Sequence, residues 1–165
     1  MTARMRQEVR DSDPAAVSTL LESTGVFNPA EIAIAGELVE ETMQRGADSG
    51  YQFLFLDGDV GGLTGYSCFG RIPATESSFD LYWIAVAPAE QGKGLGFELL
   101  RESERLALGQ GATRMYIDTS GRLQYAATRD FYERCDYSQA AVFQDFYAPG
   151  DAKIVYCRIL SNDRP

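Results

Sequence analysis

Gln91-Gly-Lys-Gly-Leu-Gly96 is the segment of this 165-residue chain whose residue types and spacing point most directly to chemistry. It follows an apolar run that ends at Ala87-Pro88 and precedes a helical pattern, so it joins the end of a strand to the start of a helix. At a helix start the unpaired backbone N–H groups and the helix dipole attract an anion, and glycine lets a ligand approach the main chain. The chemistry predicted is phosphate binding. Two familiar phosphate motifs do not fit. A dinucleotide fingerprint needs its last glycine where the chain has Phe97 or Leu99, and a nucleotide P-loop needs Gly where it has Ala87 and Ser or Thr where it has Gly94.

The chain has no histidine, which removes Ser-His and Cys-His nucleophile pairs, His metal ligands and imidazole acid/base chemistry together. Catalysis must then use carboxylate, Tyr, Lys or backbone groups. Cys68, Cys135 and Cys157 are odd in number, unclustered and without CxxC spacing, so neither a disulfide framework nor a metal site is expected. Structural roles and a reducing cytoplasm fit them. Met1–Arg10 carries Arg4, Arg6 and Arg10 without a following apolar stretch, and no uncharged apolar run approaches the ~18 residues of a membrane span. The net charge of -9 repels phosphate backbones and anionic membrane surfaces. Cationic or neutral partners are expected, and nucleic acid and membrane are not.

The elements that must position the loop follow from periodicity. A short strand over Gln7–Arg10 meets a helix opened by Asp11-Ser12-Asp13-Pro14, with Val17, Leu20 and Leu21 as its apolar stripe. Asn28-Pro29-Ala30-Glu31 is a cap, a Pro and an acidic residue leading into a second helix through Ile32, Ala35, Val39 and Met43. Tyr51–Leu56 and Val60–Arg71 read as antiparallel strands around Asp57-Gly58-Asp59. Phe79–Val86, apolar after Asp80, reads as a central strand buried on both faces. Beyond the loop, Leu99, Leu100, Ser103, Leu106 and Ala107 mark a helix that Gly109 can close, and Met115, Ile117 and Thr119 alternate as a strand. A short helix over Tyr125–Cys135 and a strand pair, Gln139–Phe146 and Lys153–Leu160, finish the chain. Length and the absence of a linker predict one domain over 1–165.

Gln91, Gly94 and Gly96 form Q-x-x-G-x-G after Ile84-Ala85-Val86-Ala87-Pro88, and Phe131-Tyr-Glu-Arg-Cys-Asp-Tyr137 follows in the later helix. With this order of elements the chain resembles the GNAT (GCN-related N-acetyltransferase) superfamily along nearly its whole length. The resemblance implies an α/β (α+β) fold: a single domain with a mixed, largely antiparallel, twisted sheet of six or seven strands and helices on both faces. It implies acetyl-coenzyme A as cosubstrate, its pyrophosphate held by Gln91, Gly92, Lys93, Gly94, Leu95 and Gly96 and its pantetheine arm by the main chain of Ile84, Ala85 and Val86. Asp136 stands where the family usually has Gly, which Asp tolerates in the left-handed region. Tyr125 and Thr128 stand where many members have Asn and Ala, which removes a familiar cofactor contact.

The implied activity is acetyl transfer to a primary amine by direct attack in a ternary complex. Such a reaction needs a proton acceptor, a donor to the developing oxyanion and a proton for the leaving thiolate. By the resemblance Asp80 is the base, a main-chain N–H near Ala85-Val86 the oxyanion donor and Tyr132 the acid. The charge balance and the acidic second helix, with Glu31, Glu37, Glu40, Glu41 and Asp48, predict a small cationic or zwitterionic amine such as an amino acid. Phe146 and Tyr147 could form an apolar lip over it, and a homodimer through the C-terminal strands is compatible. Two alternatives remain open: a non-catalytic coenzyme A-binding sensor or interaction module, and transfer of another acyl group or to a hydroxyl.

Overall fold

A computed structural model describes residues 5–161 of the chain; Arg4 lies outside them. Seven strands and four α-helices alternate as β1 (Met5–Arg6), α1 (Asp13–Thr24), α2 (Pro29–Arg45), β2 (Gln52–Asp57), β3 (Leu63–Arg71), β4 (Ser78–Val86), α3 (Leu95–Gly109), β5 (Arg114–Ser120), α4 (Ala126–Arg134), β6 (Ser138–Ala148) and β7 (Asp151–Ile159). The strand order is β1-β2-β3-β4-β5-β7-β6. β4 and β5 are parallel, while β1/β2, β2/β3, β5/β7 and β6/β7 are antiparallel. This is the mixed, largely antiparallel α/β sheet that the sequence predicts. The chain resolves into two compact units, one from the N-terminal part to Gly70 with Tyr82–Arg105, the other from Arg71–Leu81 with Leu106 onward.

In the first unit the period-2 alternation of β2 and β3 sorts their side chains to two helical layers. Phe53 stands opposite Cys68 and Phe55 opposite Tyr66, and these four pack with Val17, Leu20 and Leu21 of α1 and Ala35 and Val39 of α2. The opposite face meets α3. There Ser67 hydrogen-bonds Ser103 at 2.8 Å with both fully buried, and a Cβ on Gly65 would come within 3.1 Å of Leu56 and Leu99 side chains. Helices therefore cover both faces, and Gly65 is the thin place that lets α3 approach. α2 starts with a complete capping box, in which Asn28 Oδ1 accepts from Glu31 N at 2.9 Å and Glu31 Oε2 accepts from Asn28 N at 2.8 Å.

Several boundaries differ from expectation, each for a local reason. The first strand is Met5–Arg6 rather than Gln7–Arg10, because Asp13 takes the Arg10 backbone N–H at 2.7 Å and pairs with Arg6 at 2.7 Å, turning that segment toward α1. Ser12 holds the cap position of α1 with no side-chain cap bond, since the buried Asp13 carboxylate is committed to Arg6 and Arg10. β3 begins at Leu63, not Val60: Gly61 and Gly62 adopt left-handed φ of 90° and 74° in the turn, and Val60 is fully exposed. The helix α3 is closed by Gly111, at φ 89°, rather than by Gly109, which stays helical. β4 is not buried throughout. Phe79, Leu81 and Ala85 are buried, whereas Asp80, Tyr82, Trp83, Ile84 and Val86 are half-buried, so the strand keeps accessible surface beside the loop it feeds.

In the second unit β5, β7 and β6 form the sheet and α4 packs on one face of it. Ile117 stands opposite Tyr156, whose ring lies 6.0 Å from that of Tyr132 on α4. Tyr156 also donates its hydroxyl to Glu133 at 3.0 Å. Asp136 ends α4 with φ 66°, the left-handed turn expected of it. Phe146 and Tyr147 are exposed near the end of β6.

Candidate active site

The Gln91–Gly96 loop lies in the first unit, between the end of β4 and the first turn of α3, as its sequence position requires. A 3-10 turn over Pro88–Glu90 stops the strand. Ala87 N donates to Thr64 O at 2.8 Å, and the Gln91 side chain donates through Nε2 to Val86 O at 3.1 Å, tying the loop back to the strand end. Gly92 and Gly94 have φ of 78° and 85°, a conformation that costs an L-residue about 1–2 kcal/mol. A Cβ at either position would meet nothing within 4 Å, so glycine is required by the backbone and the space above it stays open. Glu98 N already donates to Gly94 O at 3.0 Å; the N–H groups ahead of it in the first turn have no carbonyl of the preceding turn to reach. The result is an open cradle of main-chain donors, which fits a pyrophosphate. Lys93 departs from the simplest expectation, because its ammonium is held at 3.0 Å by Glu90 and is not a lone cation over the loop.

A groove of about 670 Å³ in the same unit lies elsewhere, lined by Asp11, Pro14, Ser18, Gly36, Glu37 and Glu40 of α1, its leading turn and α2. It carries the acidic side of α2, and the glycine loop takes no part in it.

Asp80 and Tyr132 both belong to the second unit. In the parallel β4/β5 pairing Phe79 stands opposite Met115 and Asp80 opposite Tyr116. Neighbours directly across a ladder share a face and consecutive residues alternate. Asp80 therefore shares its face with Tyr116, Asp118, Val155 and Cys157, while Phe79, Ile117 and Tyr156 point the other way, toward Tyr132. The sheet stands between the two proposed catalytic groups. Asp80 is half-buried, and its carboxyl is pushed up to about 6, chiefly by burial and then by the Asp118 charge, with Lys153 pulling it down. Such a carboxylate is ionised at neutral pH yet basic enough to accept a proton there. Tyr132 is buried among Phe131, Tyr137 and Tyr156 at ring separations of 5.6, 6.2 and 6.0 Å. Burial raises its phenol far above the ordinary range, so it keeps its proton at neutral pH.

Ile84, Ala85 and Val86 end β4, with Ala85 buried and its neighbours half-buried; the Val86 carbonyl is engaged by Gln91 but retains a second lone pair. Cys68 and Cys135 are buried and no cysteine is in a disulfide. Burial also drives the Cys68 thiol well up, as a core hydrophobe would show. Among the described residues no group of acidic and sulfur ligands is arranged to hold a metal ion. Sequence reasoning missed the support under α4. Arg129 donates to the carbonyls of Ser120 and Arg122 at 2.7 and 2.9 Å, and the buried Asp151 takes the Ser120 hydroxyl and the Arg122 guanidinium at 2.9 Å. These contacts fix the turn from β5 into the helix that carries Tyr132. The Ser120–Asp151 bond among them joins residues 31 apart, which no local pattern announces.

The sequence model of the acetyltransferase (GNAT) family matches residues 19–137, a span that contains the glycine loop, Asp80 and Tyr132. The chain belongs to the GNAT acetyltransferase family. A GNAT-family structure from Desulfovibrio desulfuricans is 44% identical, covers 94% of this chain and 97% of its own, and superposes with a TM-score of 0.91. An aminoglycoside 6'-N-acetyltransferase solved with coenzyme A shares the fold at 17% identity, 98% coverage of both chains and a TM-score of 0.71. So does the Salmonella typhimurium protein yncA, solved with its cofactor acetyl-CoA, at 19% identity, 98% and 95% coverage and a TM-score of 0.70. No curated protein matches the chain. Membership makes this a transferase of acyl groups with acetyl-coenzyme A as cosubstrate, and the open glycine cradle fits that role.

Proposed function

We propose that the chain transfers the acetyl group of acetyl-coenzyme A to the primary amine of a small cationic or zwitterionic molecule, by direct attack with both substrates bound. The observation that carries the proposal is the cradle at the start of α3, where two left-handed glycines leave main-chain donors facing open space in a member of this family. The family match runs through both compact units, which supports reading 1–165 as one acetyltransferase domain.

Acetyl-coenzyme A, when bound, supplies a thioester carbon open to attack and a thiolate as leaving group. The remaining work falls to the chain. Main-chain N–H groups of Gln91, Gly92, Lys93, Gly94, Leu95 and Gly96 hold the pyrophosphate, and the ends of Ile84, Ala85 and Val86 pair with the pantetheine arm. Asp80 takes a proton from the acceptor ammonium, leaving the neutral amine that alone is nucleophilic. A main-chain N–H near Ala85-Val86 donates to the carbonyl oxygen as negative charge builds. Tyr132 gives its proton to the departing sulfur and regains one from the nitrogen, which sheds its second proton as the tetrahedral adduct collapses to the amide, so that amide, thiol and the proton held by Asp80 are the net products.

The acceptor class rests on charge. A net charge of -9 and the Glu37 and Glu40 side chains on the α1/α2 groove favour a cation. Among the described residues no helix is long and apolar enough to cross a membrane, and free cysteines suit the cytoplasm. The test is acetyl-coenzyme A-dependent thiol release over a panel of amines, amino acids and peptides, repeated at raised salt. A cationic best substrate whose rate falls with salt is expected. A neutral or anionic one breaks the electrostatic argument, and cofactor binding with no turnover on any amine marks a sensor.

A further inference from the structure

On the Asp80 face of the second unit a second carboxylate, Asp118, lies one pleat beyond Tyr116. Two carboxylates on one face would compete for a cationic acceptor, and only one of them belongs to the proposed chemistry. Lys153 resolves the competition. It sits diagonally across the β5/β7 ladder, since Asp118 pairs with Val155 and Ser120 with Lys153, and its Nζ lies 2.8 Å from Asp118 Oδ2. The Phe146 ring holds the same ammonium 4.7 Å from its centroid. Lys153 is only 22% exposed against 44% for Asp118, so the ammonium is pinned between carboxylate and ring. The other titratable groups on this face are Arg114 and Tyr116 of β5 and Cys157 and Asp151 of β7, the last buried and already paired with Arg122 at 2.9 Å; on β6 Ala141 and Phe143 face Val155 and Lys153 and carry no charge.

We propose that Lys153 and Asp118 are positioning residues for Asp80: locked to each other, they leave Asp80 as the carboxylate of its sheet face that is free to take the acceptor's proton. The inference rests on the reading of Asp80 as the base. Asp118 withdraws as a rival anion because it is neutralised, and Lys153 withdraws as a rival cation because it is occupied. The two act on the Asp80 carboxyl with opposite signs, Asp118 raising it and Lys153 lowering it. That opposition separates a positioning role from a structural one. Loss of either partner through misfolding would move the carboxyl the same way or not at all.

The experiment is a carboxyl-carbon NMR titration of the full chain labelled at aspartate, with no substrate present. Asp80→Asn identifies the Asp80 signal by its disappearance. Asp118→Asn should lower the Asp80 midpoint by about half a unit to one unit and Lys153→Met should raise it by a similar amount, in line with the opposite signs of the two charges acting on it. The double variant should lie between, and Lys153→Arg, which keeps the ion pair, should stay near the parent. With the best amine from the panel, Lys153→Met should also lower KM several-fold, because Asp118 becomes free to hold the cation, and lower kcat, because the cation is held in the wrong place. An Asp80 midpoint that stays fixed in both single variants, or shifts in the same direction in both, overturns the proposal. If the midpoints move as expected while Asp80→Asn keeps the parental rate profile, the clamp stands and the base assignment falls.

Discussion

In the Gln91–Gly96 loop the proposed binding capacity resides in the main chain and is set by conformation, whereas on the Asp80 face the proposed chemistry resides in three charged side chains and is set by charge. The loop keeps its donors because Gly92 and Gly94 are left-handed and because Gln91 ties it to Val86. Neither cause depends on pH. The Asp80 face, with Asp118 and Lys153, owes its properties to protonation and to a single 2.8 Å ion pair. The loop is therefore expected to be sensitive to backbone substitutions and indifferent to pH, and the Asp80 face the reverse.

The largest expected effect breaks the loop. Gly94→Asp places a side chain and a negative charge in the open space above a backbone that no L-residue adopts cheaply. Acetyl-coenzyme A binding measured by calorimetry should fall by more than about a hundredfold, while circular dichroism shows the fold intact. Gly94→Ala should cost about tenfold, the equivalent of the 1–2 kcal/mol of left-handed strain. Unchanged affinity in the Asp variant would sink the loop assignment.

Next in size are the two proposed catalytic groups. Asp80→Asn should slow the chemical step by about a hundredfold above about pH 6, where the parent carboxylate is ionised, and by less below it, where the parent's own carboxyl is protonated. It should also remove the rise in rate expected of the parent through about pH 6 as Asp80 ionises. Tyr132→Phe should lower kcat by about tenfold with little change in cofactor affinity, and its profile should keep the rise near pH 6. Parental rates in both variants would move the chemistry to other residues.

The same contrast marks what the sequence made legible. The glycine loop, the strand before it, the capping box at Asn28 and the left-handed Asp136 are local, and short-range rules find them. The sheet and its helices follow from alternation, and the family pattern adds the order. The errors are places where a distant partner overrides a local preference. The first strand shifts because Asp13 and Asp57 both engage Arg6. Gly109 yields its closing role to Gly111 because Ala112 N reaches back to Ala107 O at 3.0 Å, carrying the turn two residues further. Lys153 and Asp118 are 35 positions apart and become neighbours only through strand register, which residue types do not encode. The Glu90 carboxylate on Lys93, three positions away, is by contrast a local pairing that spacing alone makes legible.

A smaller effect appears in stability. The Asp80 carboxyl is raised in the folded chain from 3.8 to about 6, so the folded state binds its proton more tightly than the unfolded state does. Protonation then favours folding, and the contribution is present below about pH 4 and lost as pH rises through about 6. Asp80→Asn removes this dependence. Its melting temperature relative to the parent should climb between pH 4 and pH 7 by a few degrees, the group being only half-buried. A difference that stays flat with pH would show that the charge environment of Asp80 is ordinary and would weaken the contrast with the loop.

The smallest effect tests whether the loop is indifferent to charge. Lys93 is exposed and paired with Glu90 at 3.0 Å, and exposed pairs of this kind contribute little. An anion arriving at the loop must share the ammonium with Glu90, so Lys93 adds only part of a charge. Lys93→Met should therefore weaken acetyl-coenzyme A by about threefold at low salt and by less at 0.5 M, where a Debye length of roughly 4 Å screens the remainder. Glu90→Gln frees the ammonium and should tighten binding by about the same factor, with the same loss at high salt. If Lys93→Met costs as much as Gly94→Asp, side-chain charge and not main-chain geometry holds the pyrophosphate, and the two regions differ in their fold but not in their physics.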